Sequence, residues 1–244
     1  MKTVRNALEI IEILVVGHEN QRLTTIAEKS GLNKTSTYKI LQALSDYGYV
    51  VKSKESNRYS LGEKLLNMPR YILEKSDFRQ IALPTMERLF QESHQTINLF
   101  MLIGRKGYYS EIITSDSHKH VNTVGDSEHL YSTALGKAVL SALPREKVDA
   151  ILREDPPMSL GINTITDPKH LYDELELTKR RGFAIDDEES YTGARCVAAP
   201  IFNREEVIGS ISISGNASHV SISQLFEFSA FITKAAAEIS AKLV

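Results

Sequence analysis

Six side chains with hydrogen-bonding groups crowd into nine residues near the N-terminus: Lys34, Thr35, Ser36, Tyr38, Lys39 and Gln42. Their ammonium, hydroxyl and amide groups are the kinds that reach phosphate oxygens and base edges of a nucleic acid. Thr37, Leu41 and Leu44 recur between them at helical spacing and predict a side that faces inward. The segment therefore predicts a helix with one polar side that is available for binding, and other elements must hold this helix in place.

Two helices precede this segment. Val4, Leu8, Ile11 and Val15 form an apolar stripe that predicts a helix ended by Gly17. A second helix of about two turns follows the polar turn at 18–21 and stops before Gly31. Thr25 and Glu28 have the spacing of a capping box at its start, although Thr24 could equally be the cap.

A hairpin completes the N-terminal region. The polar helix begins near Asn33, where Asn33 or Thr35 can cap it, and ends at Gly48. Residues 49–51 and 58–61 then read as two strands joined by a polar turn at 54–57. This order predicts a winged helix-turn-helix over residues 1–62, with Lys52, Lys54 and Arg58 on the wing beside a DNA backbone. A small helical dimerisation module with solvated lysines is the alternative.

Charge divides the chain in the same place. The whole chain has 29 basic and 31 acidic side chains; residues 1–62 hold nine and six of them, a net +3, which leaves −5 for the remainder. A basic N-terminal head (residues 1–62) followed by an acidic body (the remainder) favours a polyanionic partner for the head alone.

No apolar run reaches the ~18 residues that a membrane span needs. The N-terminus lacks an export signal, and the single cysteine excludes an internal disulfide, so we expect a cytoplasmic protein that contacts no membrane.

The rest of the chain predicts an α+β domain over residues 77–244, joined to the head by a linker helix at 63–76. Strands are expected at 96–103, 108–114, 196–202 and 207–214, and helices at 78–94, 134–143, 146–152, 167–182 and 221–243. Along the last strand, Ile211 and Ile213 alternate with serines at 210, 212 and 214. A strand side made of hydroxyls is usually solvated.

Several spaced motifs are similar to those of the IclR family of bacterial transcription regulators. They lie at 26–32, 39–44, 48–50, 59–62, 134–138, 166–168, 180–189, 193–200 and 212–215. The resemblance implies a double-stranded DNA operator as partner of the head, and a C-terminal GAF-like domain that binds a small metabolite. It also implies homodimers, commonly paired into tetramers. Lys39 replaces a common arginine and Thr37 a common valine, which leaves the operator sequence open.

Matching residue by residue, the resemblance implies an effector cavity lined by Ala134, Leu135, Asp186, Cys196, Ser212 and Ser214. A few hydroxyls and one carboxylate among apolar walls suit a small polar molecule, such as a small organic acid or a sugar derivative. The N–H groups that open the helix at 134–136 could hold a carboxylate of that ligand.

Other chemistries remain as alternatives. Cys196 could be a nucleophile, which would make the body a GAF-like enzyme with the head serving only for association; a buried, inert thiol is the commoner case. The acidic run at 186–189 could bind a cation, but such runs are usually solvated loops. His118, His120 and His129 could bind zinc, but histidines in a polar loop are mostly exposed. Gly136-Lys137 lacks the other residues of a phosphate loop.

Taken together, these patterns predict a metabolite-responsive DNA-binding regulator, a repressor rather than an activator, without catalytic activity, metal or cofactor. Effector binding would favour one arrangement of the dimer, and the linker helix would then change the spacing or tilt of the two heads on DNA.

Overall fold

The computed structural model describes residues 2–17, 20–65, 68, 77–114 and 122–243. The chain separates into two compact units, Met1–Ile72 and Leu73–Val244, which we call the head and the body. Their border lies within the linker predicted at 63–76. Residues 66–67 and 69–76 of that linker fall outside the described residues, so its helical form and its bounds stay predictions.

The head has three helices and a small sheet. The helices are α1 (Lys2–Val16), α2 (Leu23–Ser30) and α3 (Lys34–Asp46). The strands are β1 (Gln21–Arg22), β2 (Val50–Lys52) and β3 (Arg58–Leu61), which pair antiparallel in the order β1-β3-β2. This is the predicted winged helix-turn-helix, with one addition: the short strand β1, which was not predicted, begins at Gln21, the last residue of the expected turn.

Helix α1 packs on the head through a different stripe from the one the periodicity selected. Ile10 and Leu14 are buried against Ile26 and Leu41, whereas Val4, Leu8 and Val15 are exposed. Apolar residues occupy two adjacent sides of this helix, so spacing alone could not determine which side faces the core.

The ends of the helices partly follow prediction. Asn33 caps α3 as expected, its Oδ1 accepting from the Ser36 N–H at 2.8 Å. The capping box expected at Thr25 and Glu28 is wrong, because α2 already begins at Leu23 and its N-cap, Arg22, makes no side-chain cap. Gly31 ends α2 in the left-handed conformation, with φ +65°, which a glycine adopts without steric cost.

The body is built on a six-stranded antiparallel sheet in the order β6-β5-β4-β9-β8-β7. The strands are β4 (Thr96–Ile103), β5 (Lys106–Ile113), β6 (Ser127–Glu128), β7 (Ala184–Asp187), β8 (Ala194–Asn203) and β9 (Glu206–Asn216). The helices are α4 (Asp77–Ser93), α5 (Ala134–Ala142), α6 (Arg145–Glu154), α7 (Pro168–Arg181) and α8 (Ile222–Ala241). The predicted α+β class is confirmed; the two short edge strands β6 and β7 were not predicted.

Helices cover both faces of this sheet. Helices α4 and α8 pack on the face that carries Ile211 and Ile213, and α5, α6 and α7 pack on the opposite face. The serine side of β9 therefore meets α5, and Ser210 and Ser212 are fully buried there. The alternation along β9 is confirmed, but its hydroxyl side is buried rather than solvated.

Among the described residues, no helix combines the length and the apolar character that crossing a bilayer would require.

Candidate nucleic-acid interface and buried cavity

Helix α3 separates its buried and exposed sides as the sequence predicted. Thr37 and Leu41 are fully buried, and the Thr37 hydroxyl donates to the Asn33 carbonyl at 3.0 Å. Because that hydrogen bond satisfies a hydroxyl in an apolar setting, threonine can occupy this core position. The opposite side of α3 is left free for a ligand.

The predicted DNA-contacting residues of α3 lie on that free side. Lys34, Thr35, Tyr38, Lys39 and Gln42 are exposed, and Ser36 is half-buried. Gln42 donates to the Asp46 carboxylate at 2.9 Å. In the protein without DNA, one N–H of the Gln42 side-chain amide is therefore already used. This hydrogen bond sets the direction in which the amide oxygen points.

The wing supplies further positive charge. Lys52 and Lys54 are exposed, and Arg58 donates to the Asn20 carbonyl at 3.2 Å. Arg22 lies directly across from Arg58 in the β1–β3 pairing. The sequence pattern did not point to Arg22, because Arg58 is 36 residues away and only the sheet pairs the two residues.

In the body, four of the six predicted effector residues line one small cavity of about 40 Å³ that is partly open to the surface: Leu135, Asp186, Cys196 and Ser214. Ala134 and Ser212 are fully buried and are not among the lining residues. The lining also contains residues that sequence reasoning missed: Asn98, Tyr109, Asn122, Glu128, Thr133, Ser190, Tyr191 and Ala194. These come from six separate segments, and only the strand alternation at Asn98 could have pointed to one of them.

The first turn of α5 forms one wall of the cavity. A Cβ at Gly136 would lie 2.3 Å from the Leu130 carbonyl oxygen, so only glycine permits this close approach. Thr133 caps the helix, and its Oγ1 accepts from the Gly136 N–H at 2.9 Å. Of the three N–H groups expected to hold a ligand carboxylate, the one at Gly136 is thus already engaged.

Asp186 holds the loop that follows β7. Its Oδ1 accepts from the Glu189 N–H at 2.8 Å and from the Ser190 N–H at 3.3 Å, and its Oδ2 accepts from the Ser190 hydroxyl at 2.6 Å. Burial raises the pKa of Asp186, and these hydrogen bonds together with the nearby Lys137 ammonium partly offset that rise.

Asn98, on β4, connects the two serines of β9. Its Nδ2 donates to Ser212 Oγ and to Ser214 Oγ, both at 3.0 Å. Its Oδ1 is buried, and within the part of the chain that the structure describes it has no hydrogen-bond partner. A buried amide oxygen without a donor is costly, and this one lies in the lining of the cavity.

A buried ion pair lies next to the cavity. Lys137 Nζ contacts both carboxylate oxygens of Glu189 at 2.5 Å, and the Lys137 side chain has no exposed surface. Burial raises the pKa of Glu189 to about 7, against the lowering effect of Lys137. The expectation of a solvated acidic loop is wrong for Glu189, which is buried, and Asp186 is buried in the cavity lining that the family resemblance implies for it.

The geometry disfavours the nucleophile, cation and zinc alternatives. Burial raises the pKa of Cys196 to about 12, so its thiol stays protonated and inert at neutral pH. Across the described ranges, no group of three His, Cys, Asp or Glu side chains could hold a metal ion. His129 contacts Asp155 at 2.8 Å, while His118 and His120 lie outside the described residues.

A second, larger cleft of about 780 Å³ lies elsewhere on the body, between α6 and the β4–β5 and β8–β9 turns. It contains none of the predicted effector residues. Its lining combines Leu102, Leu143 and Val207 with charges of both signs, including Arg105 and Glu146. The two cavities therefore differ in kind: the larger one is a cleft with charges of both signs, and the smaller one gathers polar side chains.

A winged helix-turn-helix with an exposed polar helix, followed by a helix-covered sheet domain, defines the class of DNA-binding transcription regulators. Two family models match the chain: the IclR helix-turn-helix domain over residues 3–54, and the bacterial transcriptional regulator IclR C-terminal domain over residues 70–241. The chain therefore belongs to the IclR family of bacterial transcriptional regulators, which are non-enzymatic DNA-binding proteins.

Named relatives span essentially the whole chain. The HTH-type transcriptional regulator KipR of Bacillus subtilis is 30% identical and covers 99% of this chain and 97% of its own length. The transcriptional repressor IclR of Escherichia coli is 27% identical, covering 98% of this chain and 89% of its own length. The crystal structure of the Thermotoga maritima IclR is 31% identical, with a TM-score of 0.69 over 100% of this chain and 99% of that one.

Proposed function

We propose that this chain is a transcriptional repressor whose binding to an operator is controlled by a small metabolite held in the 40 Å³ cavity of the body. The observation that carries the proposal is the cavity, where side chains from all six strands of the body sheet and from the start of α5 converge around a buried amide oxygen that lacks a donor among the described residues. Most buried polar groups in native proteins are paired, and this one differs from the unpaired atoms of Gln21, Ser45 and Ser110 in lying among the converging polar side chains of the cavity. A ligand would complete its hydrogen bonding.

For the head, we propose DNA contacts by the residues predicted from sequence. Lys34, Thr35, Ser36, Tyr38, Lys39 and Gln42 would enter the major groove, and Lys52, Lys54 and Arg58 would contact the backbone. Their placement on one side of α3 and on the wing supports this. Arg22 joins the backbone set, because it lies opposite Arg58.

For the effector, we propose contacts with Leu135, Asp186, Cys196 and Ser214, which line the cavity, and support from Ala134 and Ser212 behind them. Ser212 acts through Asn98, since that amide donates to both serines. The ligand is a small polar metabolite, an organic acid or a sugar derivative in the broad terms that the lining allows.

We propose that the working form is a homodimer or a tetramer in the cytoplasm, where the operator is located. Val4, Leu8 and Val15 leave an apolar stripe of α1 exposed, and a second copy of the chain would cover it. Residues 1–62 would act as the DNA-binding unit, 63–76 as the linker helix and 77–244 as the effector unit. Effector binding then favours one spacing of the two heads.

The test is a gel-shift titration of the full chain on the DNA upstream of its own gene, with unrelated DNA of equal length as control. We expect selective binding that is reduced by one compound from a panel of small acids, polyols and sugars. A Lys34→Ala, Lys39→Ala variant should lose binding to the operator while keeping its fold by circular dichroism. Equal binding to both DNAs, or no compound that shifts the operator complex, contradicts the proposal.

Transcription from that promoter in a reconstituted system determines the sign of regulation. A repressor lowers transcript yield as the protein is titrated in, and the effector restores it. A rise in transcript yield with protein would show activation instead.

A further inference from the structure

Two walls of the cavity belong to segments that strand pairing does not join. Thr133 and Leu135 lie at the cap and first turn of α5, and Ser190 and Tyr191 lie in the loop between β7 and β8. That loop, residues 188–193, falls between the end of one strand and the start of the next. Its position against α5 therefore depends on contacts outside the sheet.

A buried ion pair joins these two walls. Lys137 lies two residues after Leu135 on α5, and Glu189 directly precedes Ser190 in the loop. The Lys137 Nζ contacts both carboxylate oxygens of Glu189 at 2.5 Å, and Lys137 is fully buried. Neither residue is among the described residues that line the cavity. The pair thus connects the walls without forming part of either lining.

The backbone of Glu189 is held from two directions. Its N–H donates to Asp186 Oδ1 at 2.8 Å. Its carbonyl oxygen accepts from the Gly161 N–H at 3.1 Å and from the Thr164 hydroxyl at 2.6 Å. Asp186 in turn accepts from the Ser190 hydroxyl, also at 2.6 Å. Because these groups are linked, a shift of the Glu189 carboxylate reaches Ser190 through the backbone and through Asp186.

Stability alone does not account for a buried ion pair. Desolvation of the two charges offsets most of their attraction, and well-packed apolar side chains of similar volume often give an equally stable protein. An apolar contact has no preferred direction, whereas charge-assisted hydrogen bonds to two oxygens require one distance and one orientation. An ion pair at this place is therefore suited to fixing the loop in one position.

We propose that Lys137 and Glu189 are positioning residues of the effector site, whose ion pair holds the β7–β8 loop against α5 and thereby fixes Ser190 and Tyr191 at the cavity. This role rests on the proposed function, which places the effector in the same cavity. Effector affinity then depends on two residues that do not touch the effector.

A tryptophan reporter tests the position of the loop without any ligand. The chain has no tryptophan, so Tyr191→Trp places a single one in the loop. Acrylamide quenching of its fluorescence in the full chain measures how well position 191 is shielded. In this background, the double change Lys137→Met, Glu189→Leu should raise the Stern–Volmer constant about 1.5-fold or more, because the apolar pair leaves the loop free to open locally. An unchanged constant overturns the proposal.

Comparison with single changes separates positioning from stability. The double change removes both charges and should keep the urea midpoint close to that of the background, whereas Lys137→Met alone leaves Glu189 unpaired and should lower it. A constant that rises in the single variant and returns to the background value in the double variant follows stability, and the positioning role is then wrong. Glu189→Gln, which keeps the side-chain volume and one acceptor for Lys137, should give a smaller rise.

The matched control removes an exposed ion pair. Arg88→Met with Glu238→Leu makes the same charge change between α4 and α8 and should leave the quenching constant as it was. Circular dichroism checks the fold of each variant. A rise in this control equal to that of the double variant contradicts the assignment.

The operator gel shift, with Tyr191 unchanged, connects the ion pair to the effector. The double variant should bind the operator as the parent chain does, and its release should need about tenfold or more of the panel compound that releases the parent, because part of the binding free energy then orders the loop. Release at equal concentrations contradicts the positioning role. If none of the small acids, polyols and sugars releases the parent, the proposed function fails, and the quenching result still decides whether the ion pair positions the loop.

Discussion

The head and the body bring polar side chains together in opposite ways. In the head, Lys34, Lys39 and Gln42 come from one helix and point into solvent, so their arrangement follows from helical spacing alone. In the body, Asn98, Asp186 and Ser214 come from three strands and are brought together inside the fold. Replacing one exposed side chain of the head should change the free energy of unfolding little. Removing one member of the buried polar cluster leaves its partners unpaired and should lower that free energy. Four predictions test this contrast, in order of decreasing effect.

The largest effect is expected from breaking the buried ion pair. Lys137→Ala leaves Glu189 without its partner beside Asp186, and we expect the body to lose about 3–5 kcal/mol of unfolding free energy. Urea denaturation followed by circular dichroism measures it. Arg88→Ala, which breaks the exposed pair with Glu238, is the matched control and should change stability little. A small loss in Lys137→Ala would contradict the contrast between the two regions.

Changes on the head should alter DNA affinity without altering stability. Gln42→Ala should cost about 1–3 kcal/mol at particular operator base pairs and relax specificity there. Arg58→Ala should weaken binding to all sequences alike and reduce the slope of log affinity against log salt by about one. Fluorescence anisotropy at several salt concentrations measures both effects. A uniform loss in Gln42→Ala would place that residue on the backbone instead of the bases.

The buried carboxyl group should make stability depend on pH. The pKa of Glu189 is raised to about 7 in the folded chain, so the folded state binds a proton that the unfolded state releases near its ordinary value. Stability of the body should therefore fall as pH rises from about 5 to 7, by at most about 1.4 kcal/mol per pH unit for this one group. Glu189→Gln should flatten that slope, and Glu87→Gln should not. A slope unchanged in Glu189→Gln would assign it to other groups.

The smallest effects are expected from the two serines. Ser214→Ala removes one hydroxyl from the cavity and should cost about 0.5–1.5 kcal/mol of ligand affinity, and Ser212→Ala should cost a similar amount through Asn98. Cys196→Ser should change affinity less than either. Calorimetry with the operator-releasing ligand measures all three, and DNA binding without ligand should persist. Unchanged ligand affinity in both alanine variants would place the effector elsewhere.

Features that depend on residues close together in the chain could be predicted from the amino-acid sequence. The helix-turn-helix order, the exposed side of α3 and the alternation along β9 all follow from local spacing, whereas the choice of Asn33 over Thr35 as the cap of α3 needed the structure. Of the residues that the family resemblance implies for the effector cavity, Leu135, Asp186, Cys196 and Ser214 share one lining, and their role in binding an effector stays a prediction.

What surrounds those residues depends on the three-dimensional fold and could not be predicted from local patterns. Asp186 and Glu189 look like part of a solvated acidic loop, yet both are buried, because Lys137 on α5 and the backbone of their own loop satisfy them. Val4 and Leu8 form a good apolar stripe, yet Ile10 and Leu14 face the core. Local spacing fixes which residues share a side, but burial depends on partners that are distant in sequence, and no local pattern encodes them.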